Sequence, residues 1–402
     1  MYNIIVMNVD ELWLKGKNRP VYFKAIRRHI RELLRAYHPE NFTCSSEEQR
    51  IVARSESPFS EACIGALLNV PGIHSVAPAR RIPVAYDAIM PAVTAELNAL
   101  GTLPATFKVH TKRSFKGFPM NSMAVSAQLG GLVLAEFPQL KVDVNFPQMV
   151  IEVRIMEHNI YISSRKMKAI GGLPAGTSGH VLSLLSGGFD SPVASYLLAK
   201  RGCRLSFAFF YAYPFVGDEV KDKIMKLVSV LGQFQRHCKL YIIPFGEIQN
   251  LISKQCKLEY RTVLFRKAML ECANLLAQKI RAEALVTGDS LGQVSSQTIG
   301  NIAALDSFSA KPIFRPLLGF NKIEIIDLAK KIGTHDISVI PHDDACSLFA
   351  PKHPIIRPDT RYLEEFDREL PLAPHLDKCI TDAEVYNVSL TGQLTPVETD
   401  KK

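Results

Sequence analysis

Six consecutive residues, Ser186-Gly187-Gly188-Phe189-Asp190-Ser191, carry more chemistry than any other stretch of this 402-residue sequence. Leu184 and Leu185 end a short apolar run, Val181–Leu185, that reads as a buried strand. Gly187 and Gly188 would let the backbone come close to a ligand and adopt positive φ. Asp190 or Ser191 can cap a following helix, and Pro192 suits its first turn. The product is a strand, a tight loop and a helix N-terminus, whose free N–H groups and positive dipole end suit an anion. No Gly-Lys-Ser/Thr follows, so this is not a Walker A loop, nor is it the six-residue dinucleotide fingerprint.

The pattern SGGxDS resembles the pyrophosphate-binding loop of the PP-loop ATPase superfamily. Members of that superfamily cleave ATP between its α- and β-phosphates and adenylate a substrate. Other residues fall where such a fold would place them. Phe209 and Phe210 end the second strand, at the carboxyl edge where ligands bind in open α/β sheets. Thr287-Gly288-Asp289-Ser290-Leu291-Gly292-Gln293-Val294-Ser295-Ser296-Gln297-Thr298 follows a later strand, and its glycines, hydroxyls and amides could line the phosphates. Arg266 lies on a helix beginning near Val263. Its guanidinium could neutralise phosphate charge, or it could form an ordinary surface salt bridge.

The elements needed to position these groups are legible as alternating strands and helices from His180 onward. Strands are expected at Val181–Leu185, Leu205–Phe210, Leu240–Pro244 and Ala284–Thr287. Helices are expected at Pro192–Arg201, Glu219–Leu231, Val263–Arg281 and Lys322–Ile332. This is an α/β, doubly wound parallel sheet. Before it, Tyr2–Asn8 reads as a strand and Asn18–Tyr37 as a helix that stops before Pro39. Residues 60–168 read as a mixed α+β unit, with helices at Phe59–Leu68 and Pro91–Leu100. Strands there are expected at Thr106–His110, Val142–Phe146, Val150–Ile155 and Ile160–Ser163. Gly171–Gly179, with four glycines and a proline, is a break: either a plain linker or a functional loop beside the next site.

The net charge is +9. From Asp359 onward there are ten acids against five bases, so the first 358 residues carry +14. A basic body favours a polyanionic partner, most often nucleic acid. Lys24, Arg27, Arg28, Arg31 and Arg35 fall off the apolar stripe of the first helix, as a solvated or a phosphate-tracking face. Lys112, Arg113, Lys116, Arg165, Lys166 and Lys168 add to the basic front half, and no acid lies between Glu157 and Asp190. Eight cysteines are scattered without a Cys-x-x-Cys pair, which argues against a zinc ribbon or an iron–sulfur cluster. There is no signal-peptide pattern and no apolar run of the roughly 18 residues that would span a membrane. A cytoplasmic, reducing location is expected.

Taken together, Leu14-Lys15-Gly16-Lys17-Asn18-Arg19, Gly171–Gly179, LLSGGFDSP, LVTGDSLGQVSSQT and Cys346 within HDDACSLFAPKHP resemble the tRNA 4-thiouridine synthetases, also called tRNA sulfurtransferases. The resemblance covers the chain to about residue 360. It implies a ferredoxin-like domain (1–58), a THUMP domain (59–168) and a PP-loop domain (169–358); the charge count adds an acidic C-terminal tail (359–402). The first two would bind tRNA, through the basic helix and the Arg165–Lys168 segment. Leu184, Leu185, Phe209, Phe210, Arg266, Gly288 and Gln297 would join Ser186, Gly187, Gly188, Asp190 and Ser191 in contacting ATP, with Asp190 on the Mg²⁺–pyrophosphate side and no protein-built metal cage. The implied product is 4-thiouridine at position 8. Adenylation of uracil O4 makes a leaving group, and sulfur carried as a persulfide on Cys346 attacks C4, since a thiolate is the reactive form of cysteine.

Only about forty residues follow Arg361, too few for the rhodanese domain that some members append. Sulfur is therefore expected from an external persulfide donor such as a cysteine desulfurase. Cys379 is a candidate resolving thiol in a tail that could be mobile. A homodimer is compatible with the reading, as is a second role in sulfur supply for the thiazole of thiamine. Two other classes stay open: an amide-forming PP-loop synthetase acting on a small acid, and a non-catalytic tRNA-binding protein.

Overall fold

Hydrophobic patterning is resolved into two compact units, residues 1–172 and 173–402, in the computed structural model, which describes residues 2–341 and 351–398. The first unit opens with β1 (Tyr2–Val9), followed by α1 (Arg19–Tyr37), β2 (Phe42–Glu47), β3 (Arg50–Phe59), α2 (Glu61–Leu68) and β4 (Ile73–Pro78). β1 pairs antiparallel with both β3 and β4, and β2 extends β3. α1 buries Ile26, Ile30, Leu33 and Leu34 and leaves Lys24, Arg28, Arg31 and Arg35 exposed. This is the amphipathic division read from the sequence.

A second sheet holds β5 (Arg80–Ile82), β6 (Thr106–Arg113), β7 (Lys141–Val142), β8 (Met149–Ile155) and β9 (Ile160–Ser163), in the order β5-β9-β8-β6-β7. It packs with α3 (Ile89–Asn98) and α4 (Ser122–Glu136) around Val93, Phe107, Val125, Leu129 and Ile151. The strand expected at Val142–Phe146 ends at Val142. The Asp143 carboxylate accepts the N–H groups of Asn145 and Phe146, both at 2.9 Å, and turns the chain away.

After this sheet the chain returns to the first one. β10 (Met167–Lys168) pairs antiparallel with β4, giving the order β10-β4-β1-β3-β2. The first sheet thus draws strands from both sides of residue 58. Buried Glu96 on α3 joins the two halves. It accepts the Tyr2 hydroxyl (2.8 Å), the Ser164 N–H and hydroxyl (3.2 and 2.6 Å) and Arg80 Nε (3.1 Å).

In the second unit, β11 (His180–Leu184), β12 (Arg204–Tyr211), β13 (His237–Pro244), β14 (Ala284–Val286) and β15 (Ile313–Phe314) run parallel in the order β15-β14-β11-β12-β13. The helices are α5 (Asp190–Lys200), α6 (Asp218–Gly232), α7 (Gly246–Gln255), α8 (Arg261–Lys279), α9 (Ile299–Asp306), α10 (Lys322–Ile332) and α11 (His335–Val339). The order reverses at β11, the switch point at which open α/β sheets leave a crevice for ligands. The glycine loop leaves β11 at its carboxyl end, so the topology places it there.

One open alternative closes and one expectation changes. Leu173–Gly179 does not flank the glycine loop. Its Leu173 and Ser178 N–H groups bond to the carbonyls of Lys200 and Gly202, at 2.9 and 3.1 Å. That is the far end of an 11-residue helix, about 16 Å long. The residues after 358 are also not a loose acidic tail. They form α12 (Thr360–Glu369), α13 (Ala373–Thr381), β16 (Glu384–Ser389) and β17 (Leu394–Pro396). Leu363, Phe366, Leu376 and Cys379 join the core beneath α7 and α8, and β16 pairs antiparallel with β13. The hairpin covers what would be the open edge of the parallel sheet.

Candidate active site

The loop after Leu184 is held by side chains from within its own sequence. Ser191 Oγ accepts the Ser186 N–H at 2.8 Å and lies 3.0 Å from Ser186 Oγ, so the strand end and the first helical turn close on each other. Neither Asp190 nor Ser191 caps α5; Phe189 occupies the cap position with no side-chain bond. Gly187 and Gly188 do not take positive φ either. A Cβ at Gly188 would meet nothing closer than Ser186 Oγ at 3.8 Å. What glycine supplies there is open space on the inner side of the turn. The N–H groups of Gly187, Gly188 and Phe189 donate to no described group, and those opening α5 lack intrahelical partners.

Gly288 is the glycine that sterics require. A Cβ there would stand 2.6 Å from the Ser191 nitrogen and 2.8 Å from the Asp190 carbonyl carbon. Only a glycine lets the loop after β14 lie flat against the first turn of α5. That contact brings the Thr287–Gln297 segment to the glycine loop.

Asp190 points across this junction. Its carboxylate is bonded by Lys322 Nζ at 2.8 and 3.0 Å and by Gln293 Nε2 at 2.9 Å. Lys322 opens α10, where Asn321 and Glu324 form a reciprocal capping box, and its ammonium also stands 5.4 Å from the Phe189 ring centroid. Asp289, 4% exposed, is the second carboxylate. It pairs with Arg266 at 2.6 Å and Arg315 at 3.2 Å and accepts the Thr287 hydroxyl at 2.8 Å. Burial alone would raise its carboxyl; the Arg266 charge, the Thr287 bond and Arg315 outweigh burial and hold it below the ordinary range. Arg315 also grips Asp306 with both terminal nitrogens, at 3.1 and 2.5 Å.

Arg266 therefore has a structural anchor: besides Asp289 it donates to the Ser296 carbonyl at 2.6 Å. Through it the Ser295–Gln297 turn is fastened to α8. Gln297 lies in that turn, with its amide oxygen buried and unbonded among the described residues; the amide oxygen of Gln293 is in the same condition. Buried amide oxygens without partners are costly unless a ligand donor meets them.

Leu184, Leu185, Phe209 and Phe210 sit together at the carboxyl ends of β11 and β12, where Leu184 stands opposite Ala208 and the Leu185 N–H bonds to the Ala208 carbonyl. The Phe210 ring turns into the core, edge-on to Phe245 at 4.9 Å, so its contribution to the crevice is backbone. Cys346 lies outside the described residues. The structure thus gathers the loop, Gly288, Gln293, Gln297 and Arg266, pairs Asp289 of the same Thr287–Thr298 run with Arg266, and adds Lys322 and Arg315, which sequence reasoning had not singled out. A signal for Lys322 existed: a lysine in the first helical turn opposes the dipole and needs a local anion.

The basic residues of the first unit divide. Arg165 is bidentate to Glu61 at 2.6 Å, Lys166 bonds Glu152 at 2.6 Å, and Arg113 holds the Phe118 and Met120 carbonyls at 2.8 Å. Lys112, Lys116 and Lys168 are exposed.

Comparison with known proteins decides the family. The family described as thiamine biosynthesis protein (ThiI) matches residues 176–372, the THUMP domain 86–165 and the ThiI ferredoxin-like domain 4–77. A probable tRNA sulfurtransferase of Acetivibrio thermocellus is 36% identical over 97% of this chain and all of its own. This chain belongs to the tRNA sulfurtransferase family. A second such relative, from Geobacillus kaustophilus, is also 36% identical, over 98% of each chain. The crystal structure of a 4-thiouridine synthetase–RNA complex with bound ATP superposes with a TM-score of 0.87, at 29% identity, over 97% of this chain and all of that one. The sulfurtransferase-family architecture of ferredoxin-like, THUMP and PP-loop bodies is the α/β arrangement expected from the sequence. No helix among the described residues is long and apolar enough to cross a membrane.

Proposed function

We propose that this enzyme uses ATP to replace O4 of uridine 8 in tRNA by sulfur, giving 4-thiouridine. The observation that carries this reading is the junction of the loop N–H groups, which bond to no described residue, with the Asp190–Lys322 pair at the sheet's switch point, in a chain that superposes along its length on a 4-thiouridine synthetase crystallised with RNA and ATP. The loop and the α5 N-terminus would cradle the pyrophosphate end of ATP, with Lys322 close by to neutralise charge. Uracil O4 attacks the α-phosphate and pyrophosphate leaves. The terminal sulfur of a persulfide on Cys346 then attacks C4, and AMP departs with the original oxygen.

Mg²⁺ fits this site only as a companion of the nucleotide. Among the described residues no group of three His, Cys, Asp or Glu side chains could hold a metal, and hard cations that keep several waters commonly take one carboxylate plus substrate phosphates. Asp190 is the carboxylate that would face it, and the ion would supply charge neutralisation on the phosphates.

Completing transfer cleaves the Cys346 S–S bond, which needs two electrons from a second thiol. Cys379 suits that role poorly: it is buried in the core, and burial, with the nearby Glu247 and Asp382 charges, pushes its thiol up to about 11. An external desulfurase or carrier in the cytoplasm would supply the persulfide, and an external thiol would resolve it. The same Cys346 persulfide would supply sulfur for the thiamine thiazole, in keeping with the description of the matched family.

The test is pyrophosphate release from ATP with unmodified tRNA, with small carboxylic acids and with no substrate, followed by nucleoside analysis after adding a cysteine desulfurase and cysteine. Release that requires tRNA, with 4-thiouridine at position 8, is expected; release driven by a small acid would establish an amide-forming synthetase instead.

A further inference from the structure

Lys223 lies on α6, outside the glycine loop, the Thr287–Gln297 segment and α10, yet its ammonium is buried, with the residue 2% exposed. Burial draws that ammonium down to about 8. Nζ donates to the Ser338 carbonyl at 2.9 Å and to the Ile340 carbonyl at 2.6 Å. These carbonyls close the C-terminal end of α11, where a cation also meets the negative end of the helix dipole. Ser338, itself buried, sends its hydroxyl to the Gly188 carbonyl at 3.2 Å.

The consequence follows from peptide geometry. In a planar trans peptide the C=O and N–H groups point in opposite directions. A hydroxyl that holds the Gly188 carbonyl on the α11 side therefore aims the Phe189 N–H, which bonds to no described residue, to the opposite side. Glycine at 188 leaves ψ on that side of the peptide without a side chain to fix it, so the carbonyl direction depends on such a hold.

We propose that Lys223 and Ser338 are positioning residues that orient the Gly188–Phe189 peptide for the nucleotide's phosphates: Lys223 fixes the end of α11, α11 presents the Ser338 hydroxyl, and the hydroxyl locks the peptide. This rests on the reading of the loop as an ATP site, and deepens it.

Removing the hydroxyl acts on ground-state and transition-state contacts alike, so the effect falls on KM. Ser338→Ala raises KM for ATP about threefold to tenfold in tRNA-dependent pyrophosphate release, the range of one net hydrogen bond, with kcat changed less than about twofold. Ser338→Thr, which keeps the hydroxyl, stays nearer to wild type. Lys223→Met has the same signature, and adding Ser338→Ala to it costs little more, because the two act in series. Equilibrium binding of ATP without tRNA is measured on the wild type and all four variants, beside their melting temperatures. An unchanged KM in Ser338→Ala, equal defects in Ala and Thr variants, or fully additive effects in the double variant would overturn the relay while leaving the ATP site intact. Failure of the wild-type protein to bind ATP would overturn both.

Discussion

Lys322 Nζ contacts both carboxylate oxygens of Asp190, at 2.8 and 3.0 Å, although the two residues stand 132 positions apart. Each opens its own helix, α5 or α10, and the pair bolts the two helices together at the crevice. The lysine charge would be unfavourable at the N-terminus of α10 without the carboxylate. On the proposed reading, that charge would lie beside the phosphates of a nucleotide bound in the crevice.

Asp190→Ala is expected to abolish tRNA-dependent pyrophosphate release, and Lys322→Met to lower its kcat by about a hundredfold or more, the scale of losing one preorganised charge at a developing anion. Lys322→Arg keeps the charge but not the compact shape and should recover only part. Stopped-flow detection of pyrophosphate measures all three. Wild-type release by Asp190→Ala would refute the assignment.

Cys346→Ser should adenylate tRNA at the wild-type rate and form no 4-thiouridine with a desulfurase and cysteine. Cys379→Ser should thiolate normally with either desulfurase or inorganic sulfide, because its thiol is buried in the core beneath α7 and α8. Loss of thiolation by Cys379→Ser with the desulfurase alone would make it the relay. Full thiolation by Cys346→Ser would remove the carrier role.

Binding of tRNA should weaken log-linearly with salt as counterions are released. Lys112, Lys116 and Lys168, exposed in the first unit, are expected each to lower the slope by about one when changed to alanine. Arg165→Ala should change it less, since that guanidinium is bidentate to Glu61. Filter binding between low and moderate salt separates these outcomes; a larger slope change for Arg165 than for the lysines would reverse the ranking.

Asp289→Asn leaves Arg266 and Arg315 facing each other with no shared anion, and is expected to cost about 3 kcal/mol of stability at neutral pH, as for a broken buried pair. The wild-type carboxyl sits below its ordinary 3.8. Its stabilisation is therefore complete above about 4 and is lost as pH falls through the lower folded value. Urea unfolding at pH 7 and pH 3 should show the variant's deficit shrinking in acid. A deficit that is equal at both values would count against the pairing.

How much was legible depended on range. The helix Lys322–Ile332 was read to the residue, because Asn321 and Glu324 box its start and Gly333 ends it. The alternation from His180 onward gave the parallel sheet. The hairpin Phe42–Phe59 escaped, since Thr43-Cys44-Ser45-Ser46 has no apolar alternation and is paired only because β1 lies beside its partner. Helix Ser122–Glu136 escaped because Gly130 and Gly131 weaken it locally; Val125, Leu129 and Val133 recover it by packing. In the site, the SGGFDS run was visible as a motif. The Asp289–Arg266–Arg315 cluster was not, because its members come from three separate segments and only the fold makes them neighbours.

The return of the chain to its first sheet has a consequence for synthesis. β10 is the last strand of that sheet, yet it is made only after every strand of the second. A growing chain emerging from the ribosome therefore completes the second sheet before it can finish the first, with the edge of β4 left open until Met167 and Lys168 appear. Cutting the gene between the two halves would leave the front one short of a strand, so the two are expected to be inherited, and moved among proteins, as a single cassette.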